Sequence, residues 1–248
     1  MRTRTRLTTI GAAGTVAISA LFGGTASADF PNFSDAPTGP GITNAIDIQS
    51  TGGLFTIDGL EIPVAGSFEI RGALSGSGAL ATIVPPAGTT GLFAAPVDVP
   101  GGLLDAEIPY PANRLTAQFE LAAGGEIVLN RTNLDVTLPV KIRLSNRLIG
   151  SNYRIGSDSD PIALTLTTGT TAPPAPNAPI SGAIGALSFE DGYRLLTGNR
   201  HVDNSFGLPK TSGGQFRSLR ILLNQRFGLP SPAGTNSLVI EGDLATSF

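Results

Sequence analysis

A run of eleven residues, 134–144, alternates aliphatic with polar side chains and gives the clearest structural signal in the chain. Only a β-strand places every second side chain on one face, so the alternation predicts a strand whose apolar face points into a core. Pro139 belongs to the outward set and cannot donate a hydrogen bond to a neighbouring strand, which predicts an edge strand or a β-bulge there. The residues predicted to point inward are Leu134, Val136, Leu138, Val140, Ile142 and Leu144.

Shorter copies of this alternation recur, and Gly59, which shifts the pattern between two of them, is interpreted as a β-bulge. At least seven strands with one apolar face each predict an all-β fold. We expect an antiparallel β-sandwich with Greek-key-like connections; the alternative is a β-barrel. The 32 glycines and 19 prolines suit many turns, and without cysteine the fold is stabilised by packing and strand pairing alone. The shorter copies lie at 55–57, 60–64, 68–70, 115–121, 162–166 and 238–240.

One short helix is predicted near the C terminus, from Gly213 to Phe227. Ser212 and Gln215 have the spacing of a capping box, apolar residues recur at helical intervals, and a glycine and a proline follow the last of them. Because short apolar runs are ambiguous, a strand through 219–223 is the alternative. The helix would either close one end of the sandwich or lie on an anionic membrane surface.

Residues 1–28 have the parts of an export signal: three arginines near the start, a mostly apolar run over 7–22, and a small-x-small cleavage pattern at 26–28. We therefore expect a secreted protein that begins at Asp29 and is extracellular or associated with the cell wall. No later stretch reaches the roughly 20 apolar residues of a membrane-spanning helix.

Residues 29–248 are predicted to form a single β-sandwich domain. A proline-rich segment at 167–179 is interpreted as a strap that crosses between sheets. The alternative is an interdomain linker that precedes a separate unit over 180–248, although 69 residues are few for independent folding without disulfides or metal.

Charge is unevenly distributed along the chain. Residues 29–126 contain eleven acids and two bases, whereas 127–226 contain six acids and eleven bases. A basic half could bind an anionic cell-envelope polymer or lipid, and the candidate ligand-binding residues are Lys141, Arg143, Arg217 and Arg220. The alternatives are that the two halves face each other or that the bases are solvated. The acidic total and the few Tyr and Trp residues argue against nucleic-acid binding.

The catalytic signals are weak. His201 is the only histidine and Asp203 follows it closely, but no Gly-x-Ser-x-Gly motif accompanies them. The paired carboxylates at 158/160 and 190/191 could serve acid–base chemistry or calcium, but their surroundings favour turns. One His and no Cys give no support for zinc. We therefore predict no catalytic residues, no metal and no cofactor.

Several segments of the C-terminal third, 171–176, 198–200, 202–206 and 228–236, resemble uncharacterised secreted proteins of actinobacteria. The excess of Arg over Lys and the Ala- and Gly-rich signal agree with a GC-rich source. The resemblance implies a Cys-Gly pair near 213–214 with a partner cysteine. This chain has neither, and the family supplies no established activity.

These observations favour an exported, non-catalytic module with a structural or binding role at the cell envelope or outside the cell. A secreted hydrolase that uses His201 is the alternative. A more remote alternative is an outer-membrane barrel, suggested by the alternating strands and the aromatic residue Phe248. Against it, the strands lack flanking aromatic residues.

Overall fold

A computed structural model describes residues 30–248; the predicted export signal at 1–28 lies outside the described residues. The described chain forms fifteen strands, one α-helix and a short 3-10 helix at Gly102–Leu104. The elements are β1 (Ile42–Ile57), β2 (Leu60–Pro63), β3 (Phe68–Ser75), β4 (Leu80–Val84), β5 (Leu92–Ala94), β6 (Val97–Asp98), β7 (Leu115–Leu121), β8 (Ile127–Asn130), β9 (Asp135–Asn146), β10 (Gly150–Ile155), β11 (Ile162–Leu166), β12 (Ala186–Glu190), β13 (Tyr193–Asp203), β14 (Thr211–Gly213), α1 (Arg217–Arg226) and β15 (Asn236–Ser247).

The strands pair antiparallel in the order β12-β13-β15-β1-β3-β4-β8-β9-β10-β14, with five short strands beside this path. β12 and β14, at the two ends, do not pair with each other, so the sheet is open. The last strand, β15, returns to lie beside the first, as in a Greek key. The prediction of an all-β antiparallel sandwich with one short helix near the C terminus is confirmed.

Two long strands organise the sheet. β1 pairs with β15 along one edge and with β3 and β2 along the other. β9 pairs with β8 and β7 along one edge and with β11 and β10 along the other. The core lies between these two regions, where the Phe119 ring of β7 contacts Phe55 and Phe68 edge-on at 5.4 and 5.0 Å between ring centroids.

The alternation in β9 places five of the six predicted residues, from Val136 to Leu144, in the core. The prediction is wrong for Leu134, which has a left-handed backbone (φ 55°) and lies in the turn between β8 and β9.

Pro139 does not mark an edge strand or a bulge, because β9 is paired along both edges. Its carbonyl accepts a hydrogen bond from the Ala122 amide (3.0 Å) at the gap where β7 ends and β8 has not begun. The N and C=O of one strand residue point to the same edge, so the missing N–H also faces this gap and no ladder bond is lost.

Gly59 is likewise not a bulge. Asp58 and Gly59, with φ of 45° and 83°, form the two-residue turn between β1 and β2. Positive φ at both positions is typical of the tight turn that matches the twist of a hairpin. The register irregularities of β1 lie instead between Ser50 and Gly52, against β15, and between Ile42 and Ala45, against β3.

The helix α1 begins at Arg217, four residues later than predicted. Ser212 does not cap it, because this residue lies in β14 and its hydroxyl donates to the Gly156 carbonyl. Phe216 precedes the helix without a side-chain cap. Leu223 and Phe227 are buried in the core, so the apolar side of the helix packs on the sandwich.

The proline-rich segment connects β11 to β12 and is fixed by its polar groups. The Asn177 side-chain amide donates to the carbonyls of Asn204 (3.0 Å) and Asn236 (2.9 Å). Beyond the segment, β13 and β15 extend the sheet from β1. Among residues 30–248, no helix has the length and hydropathy needed to span a membrane.

Candidate functional site

Two of the predicted ligand-binding residues, Lys141 and Arg143, lie on the outward face of β9, and each forms an ion pair. Lys141 Nζ lies 2.5 Å from Asp158 Oδ1, which also accepts a hydrogen bond from the Ala123 amide (2.7 Å). That amide, followed by Lys141, lowers the pKa of the exposed Asp158 carboxyl. Arg143 pairs with Glu120.

We call Glu120, Arg143 and Arg154 the Glu120 cluster. The Arg154 Nε lies 2.8 Å from Glu120 Oε2, so one carboxylate joins two guanidinium groups on neighbouring strands. Burial alone would raise the pKa of Glu120, but the hydrogen bonds from Arg154 and Arg143 outweigh it and lower that pKa. The bases of this cluster are therefore already occupied by an acid of the same protein.

The other two predicted residues, Arg217 and Arg220, lie in the first turns of α1. Within residues 30–248, no hydrogen bond or ion pair connects them to Lys141 or Arg143. The four candidates therefore form no bonded cluster.

His201 is 5% exposed on β13, and its Nε2 lies 3.0 Å from the Leu134 carbonyl oxygen. Burial lowers the pKa of its imidazole, which favours the neutral ring with a proton on Nε2 donating to that carbonyl. Asp203 accepts hydrogen bonds from the amides of Thr165 (2.7 Å) and Ser205 (2.9 Å) and from the Ser205 hydroxyl (2.7 Å). Among the described residues, no hydrogen bond joins His201 to Asp203.

Both carboxylate pairs lie at connections between strands, where turns were predicted, although Glu190 is still the last residue of β12. Asp158 and Asp160 belong to the turn between β10 and β11, in which the Asp160 carbonyl accepts the Ser157 amide (3.0 Å). Glu190 pairs with Tyr193 across the hairpin of β12 and β13. Within residues 30–248, no three His, Asp or Glu side chains are grouped so that they could hold a metal ion.

A groove of about 280 Å³ opens where the β12–β13 hairpin faces the β8–β9 turn, and we call it the leucine groove. Its volume lies near the lower end of the roughly 300–1,000 Å³ of small-molecule pockets. Polar side chains are few at its surface. Six leucines line it, together with Asn44, Thr246, Arg131 and Arg194: Leu74, Leu129, Leu134, Leu187, Leu196 and Leu244.

Strand register forms the groove. Leu196 pairs with Leu187 on one neighbouring strand and with Leu244 on the other, so three leucines stand side by side on the inner face. Leu244 is buried among the core residues, whereas Leu187 is 54% exposed because β12 is the last strand at this end of the sheet. The groove is thus a continuation of the core that the chain itself does not fill.

The two arginines of the groove contact neutral groups. Arg131 donates to the Gly78 carbonyl (3.2 Å) and the Thr43 hydroxyl (3.1 Å). The Arg194 guanidinium carbon lies 5.4 Å from the centre of the Phe248 ring. Within residues 30–248, neither arginine forms an ion pair with a carboxylate.

Arg131 and Arg194 both belong to the basic half that the sequence identifies, but neither is among the four predicted ligand-binding residues. Arg194 could have been found from the alternating pattern on either side of the turn at Asp191-Gly192, which consists of Leu187, Phe189, Arg194 and Leu196. This alternation places a cation on the same face as three large apolar residues.

A second charged cluster lies on the outer side of β1 and β3, and we call Asp35, Asp47, Glu69 and Arg71 the Asp47 cluster. Asp47 has 0% exposure because residues 30–36 cover it, and its Oδ2 accepts the Asn32 amide (2.8 Å). Burial raises its pKa to about 6 and also raises the pKa of Glu69.

Arg71 is the one cation of the Asp47 cluster. It lies 3.1 Å from Glu69 and 3.4 Å from Asp35. The Glu69 contact lacks hydrogen-bond geometry, so it is an ion pair only.

No family model, curated protein or solved structure matches this chain.

Proposed function

We propose that the protein is an exported, non-catalytic binding module of the cell envelope and that the leucine groove holds an anionic amphiphile. Export is supported by the signal pattern at 1–28. The proposed ligand has one apolar and one anionic part. Many membrane components have this composition, so such a ligand favours the cell envelope as the destination of the protein. The resemblance to secreted actinobacterial proteins agrees with this assignment.

The observation that carries the proposal is the position of Arg131 and Arg194 at an apolar groove, where no carboxylate of residues 30–248 forms an ion pair with either of them. Leucine side chains gain from burial against an acyl chain by about 25 cal/mol per Å² of apolar surface. A guanidinium that loses water needs an anion, and both arginines retain donors for a carboxylate or a phosphate. A neutral hydrocarbon would pack against the leucines, but it would remove water from the arginines without supplying an anion.

Binding is tested by calorimetric titration of the purified protein with palmitate below its micellar concentration. Hexadecyltrimethylammonium has the same chain length with the opposite charge, and octanoate has the same charge with a shorter chain. We expect palmitate to bind more tightly than both. Arg131→Gln and Arg194→Gln should each weaken palmitate binding about tenfold, since a hydrogen bond to a charged group contributes about 1.5–3 kcal/mol.

Two exposed positions outside the groove serve as matched controls. Arg147→Gln and Leu148→Gln, in the turn between β9 and β10, should leave palmitate binding unchanged, whereas Leu187→Gln should weaken it. Equal binding of the cationic and anionic amphiphiles, or binding indifferent to both groove arginines, would overturn the proposed ligand class.

Export is tested separately by fractionation of the native host into supernatant, salt-extractable wall and detergent-extractable envelope. Intact-mass measurement should show a chain that begins at Asp29. Recovery of the unprocessed chain from the cytoplasm would contradict the export part of the proposal.

A further inference from the structure

A second cavity, of about 560 Å³, lies beside the segment that connects β6 to β7, on residues that the leucine groove does not use. We call it the Tyr110 cleft. Its walls combine an exposed aromatic ring with charged side chains: Tyr110, Ile108, Asp98, Glu107 and Arg114.

Asn113 orders the segment around the cleft although the segment has almost no regular structure. Its buried side-chain amide donates to the carbonyls of Gly101 (3.2 Å) and Ala106 (2.8 Å), and its Oδ1 accepts the Leu104 amide (2.9 Å). A Cβ at Gly102 would collide with the Asn113 carbonyl, which explains a glycine there.

The helix α1 fixes the same segment from the other side. The Arg226 guanidinium donates to the carbonyls of Pro100 (2.6 Å) and Gly102 (3.2 Å) and lies 3.1 Å from Asp105 Oδ1. A cleft held in this way loses little conformational entropy when a ligand binds.

Tyr110 is 65% exposed, so most of its ring is not used in packing the fold. Pro109 and Pro111 flank it and restrict the backbone that carries the ring. Tyrosine presents a large amphipathic surface at a low entropy cost, which is the reason for its frequency in binding sites. Ile108, also exposed, extends the apolar wall.

The charged residues of the cleft restrict the ligand class. Asp98 and Arg114 form a two-point ion pair, at 2.6 and 3.1 Å, and Glu107 Oε1 accepts the Gly101 amide (3.0 Å). An apolar ligand would desolvate these groups without compensation, and an anion would be repelled because carboxylates outnumber guanidiniums among the lining residues. A neutral ligand with hydroxyl groups and one apolar face could stack that face on the aromatic ring and form hydrogen bonds to the charged side chains.

We propose that the Tyr110 cleft binds a carbohydrate, with a sugar ring stacked on Tyr110 and its hydroxyl groups bonded to Asp98, Glu107 and Arg114. The ligand is a neutral segment of an envelope polysaccharide. This site is independent of the leucine groove, so either assignment can fail without the other.

The test uses retention of the purified protein on delipidated, protease-treated cell envelope from the native host. Tyr110→Ala should reduce the retention constant at least tenfold, and Tyr110→Phe should preserve most of it because the ring remains. Oxidation of the envelope with periodate, which cleaves vicinal diols, should abolish retention. Phe216→Ala changes an exposed aromatic residue elsewhere and should have no effect.

Lys210→Gln changes an exposed cation outside both the Tyr110 cleft and the leucine groove and should also leave retention unchanged. Absence of retention, retention indifferent to Tyr110→Ala, or retention that survives periodate would each overturn the proposal. Binding of the protein to phosphatidylcholine vesicles that is lost in Tyr110→Ala would reassign the cleft to a lipid surface. Thermal melting of each variant confirms that it is folded.

Discussion

The Asp47 cluster lies on the outer face of β1 and β3, the Glu120 cluster lies on the outer face of β7, β9 and β10, and the two contain acids and arginines in opposite proportions. Three carboxylates share one guanidinium at Arg71, whereas two guanidiniums share one carboxylate at Glu120. Burial raises the pKa of Asp47 to about 6, but the arginines lower that of Glu120. Two arginines in contact with Glu120 reverse the shift that burial would cause, whereas the single arginine near Asp47 does not, and Asp47 is also the more buried of the two carboxylates.

The largest expected effect comes from removal of the only cation of the Asp47 cluster. Arg71→Leu should cost about 3–5 kcal/mol of unfolding free energy at pH 7, because buried carboxylates would remain without a partner. Arg143→Leu should cost only about 1 kcal/mol, since Glu120 keeps Arg154. Urea unfolding of both variants measures the difference. Equal losses would show that the two clusters do not differ in their dependence on a single cation.

The two clusters should also respond to pH in opposite directions. The folded state binds the Asp47 proton more tightly than the unfolded chain, whose pKa is 3.8, so this group's contribution is fully present below about pH 4 and is lost as pH rises through about 6. Asp47→Asn should remove this decline and make the protein about 2 kcal/mol more stable than wild type at pH 7. Urea unfolding of wild type and Asp47→Asn from pH 4 to 7.5 tests the direction of this pH dependence. A wild-type unfolding free energy that rises through this window because of Asp47 would contradict the prediction.

The contribution of Glu120 to stability changes with pH in the opposite direction, because the pKa of Glu120 is lowered in the folded state. Its contribution is present above the unfolded pKa and is lost as pH falls through the folded value. Glu120→Gln should cost about 1–2 kcal/mol at pH 7, an ordinary value for a partly buried charged group that accepts hydrogen bonds. Glu69→Gln is the matched change in the other cluster and should cost less or stabilise, since it relieves repulsion among acids. A larger loss for Glu69→Gln than for Glu120→Gln would reverse the comparison.

The smallest effect is expected for Lys141, whose partner Asp158 is exposed. Lys141→Ala should change the unfolding free energy by no more than about 0.5 kcal/mol. The inward neighbour Ile142→Ala should cost about 2–5 kcal/mol and serves as the reference for a core position. Similar losses at the two positions would mean that the register of β9 is wrong.

The sequence predicts best where a strand has one buried face. The positions in β9 from Val136 to Leu144 follow from alternation alone, because every second side chain must leave water. The prediction fails where tertiary contacts override local pattern: Leu134 continues the alternation but the chain has already turned, and Ser212 has capping spacing but pairs in β14.

The candidate sites were less predictable than the fold. The sequence identifies basic residues but not which of them already have acidic partners, and Glu120 is more than twenty residues from both Arg143 and Arg154. Arg194 becomes part of a site only because Leu74 and Leu129, from distant strands, reach the same groove. Such convergence depends on strand order, which local patterns do not contain.

The pairing of β1 with β15 has a consequence for how the chain reaches its folded state. The first and last strands are neighbours, and the Asn44 side-chain amide donates to the Ser247 carbonyl (2.7 Å) across 203 positions of sequence. A chain that emerges N terminus first, from a ribosome or a translocation channel, cannot complete its central strand pair until the last segment has emerged. Such long-range closure is slow, so this strand pair forms late in folding.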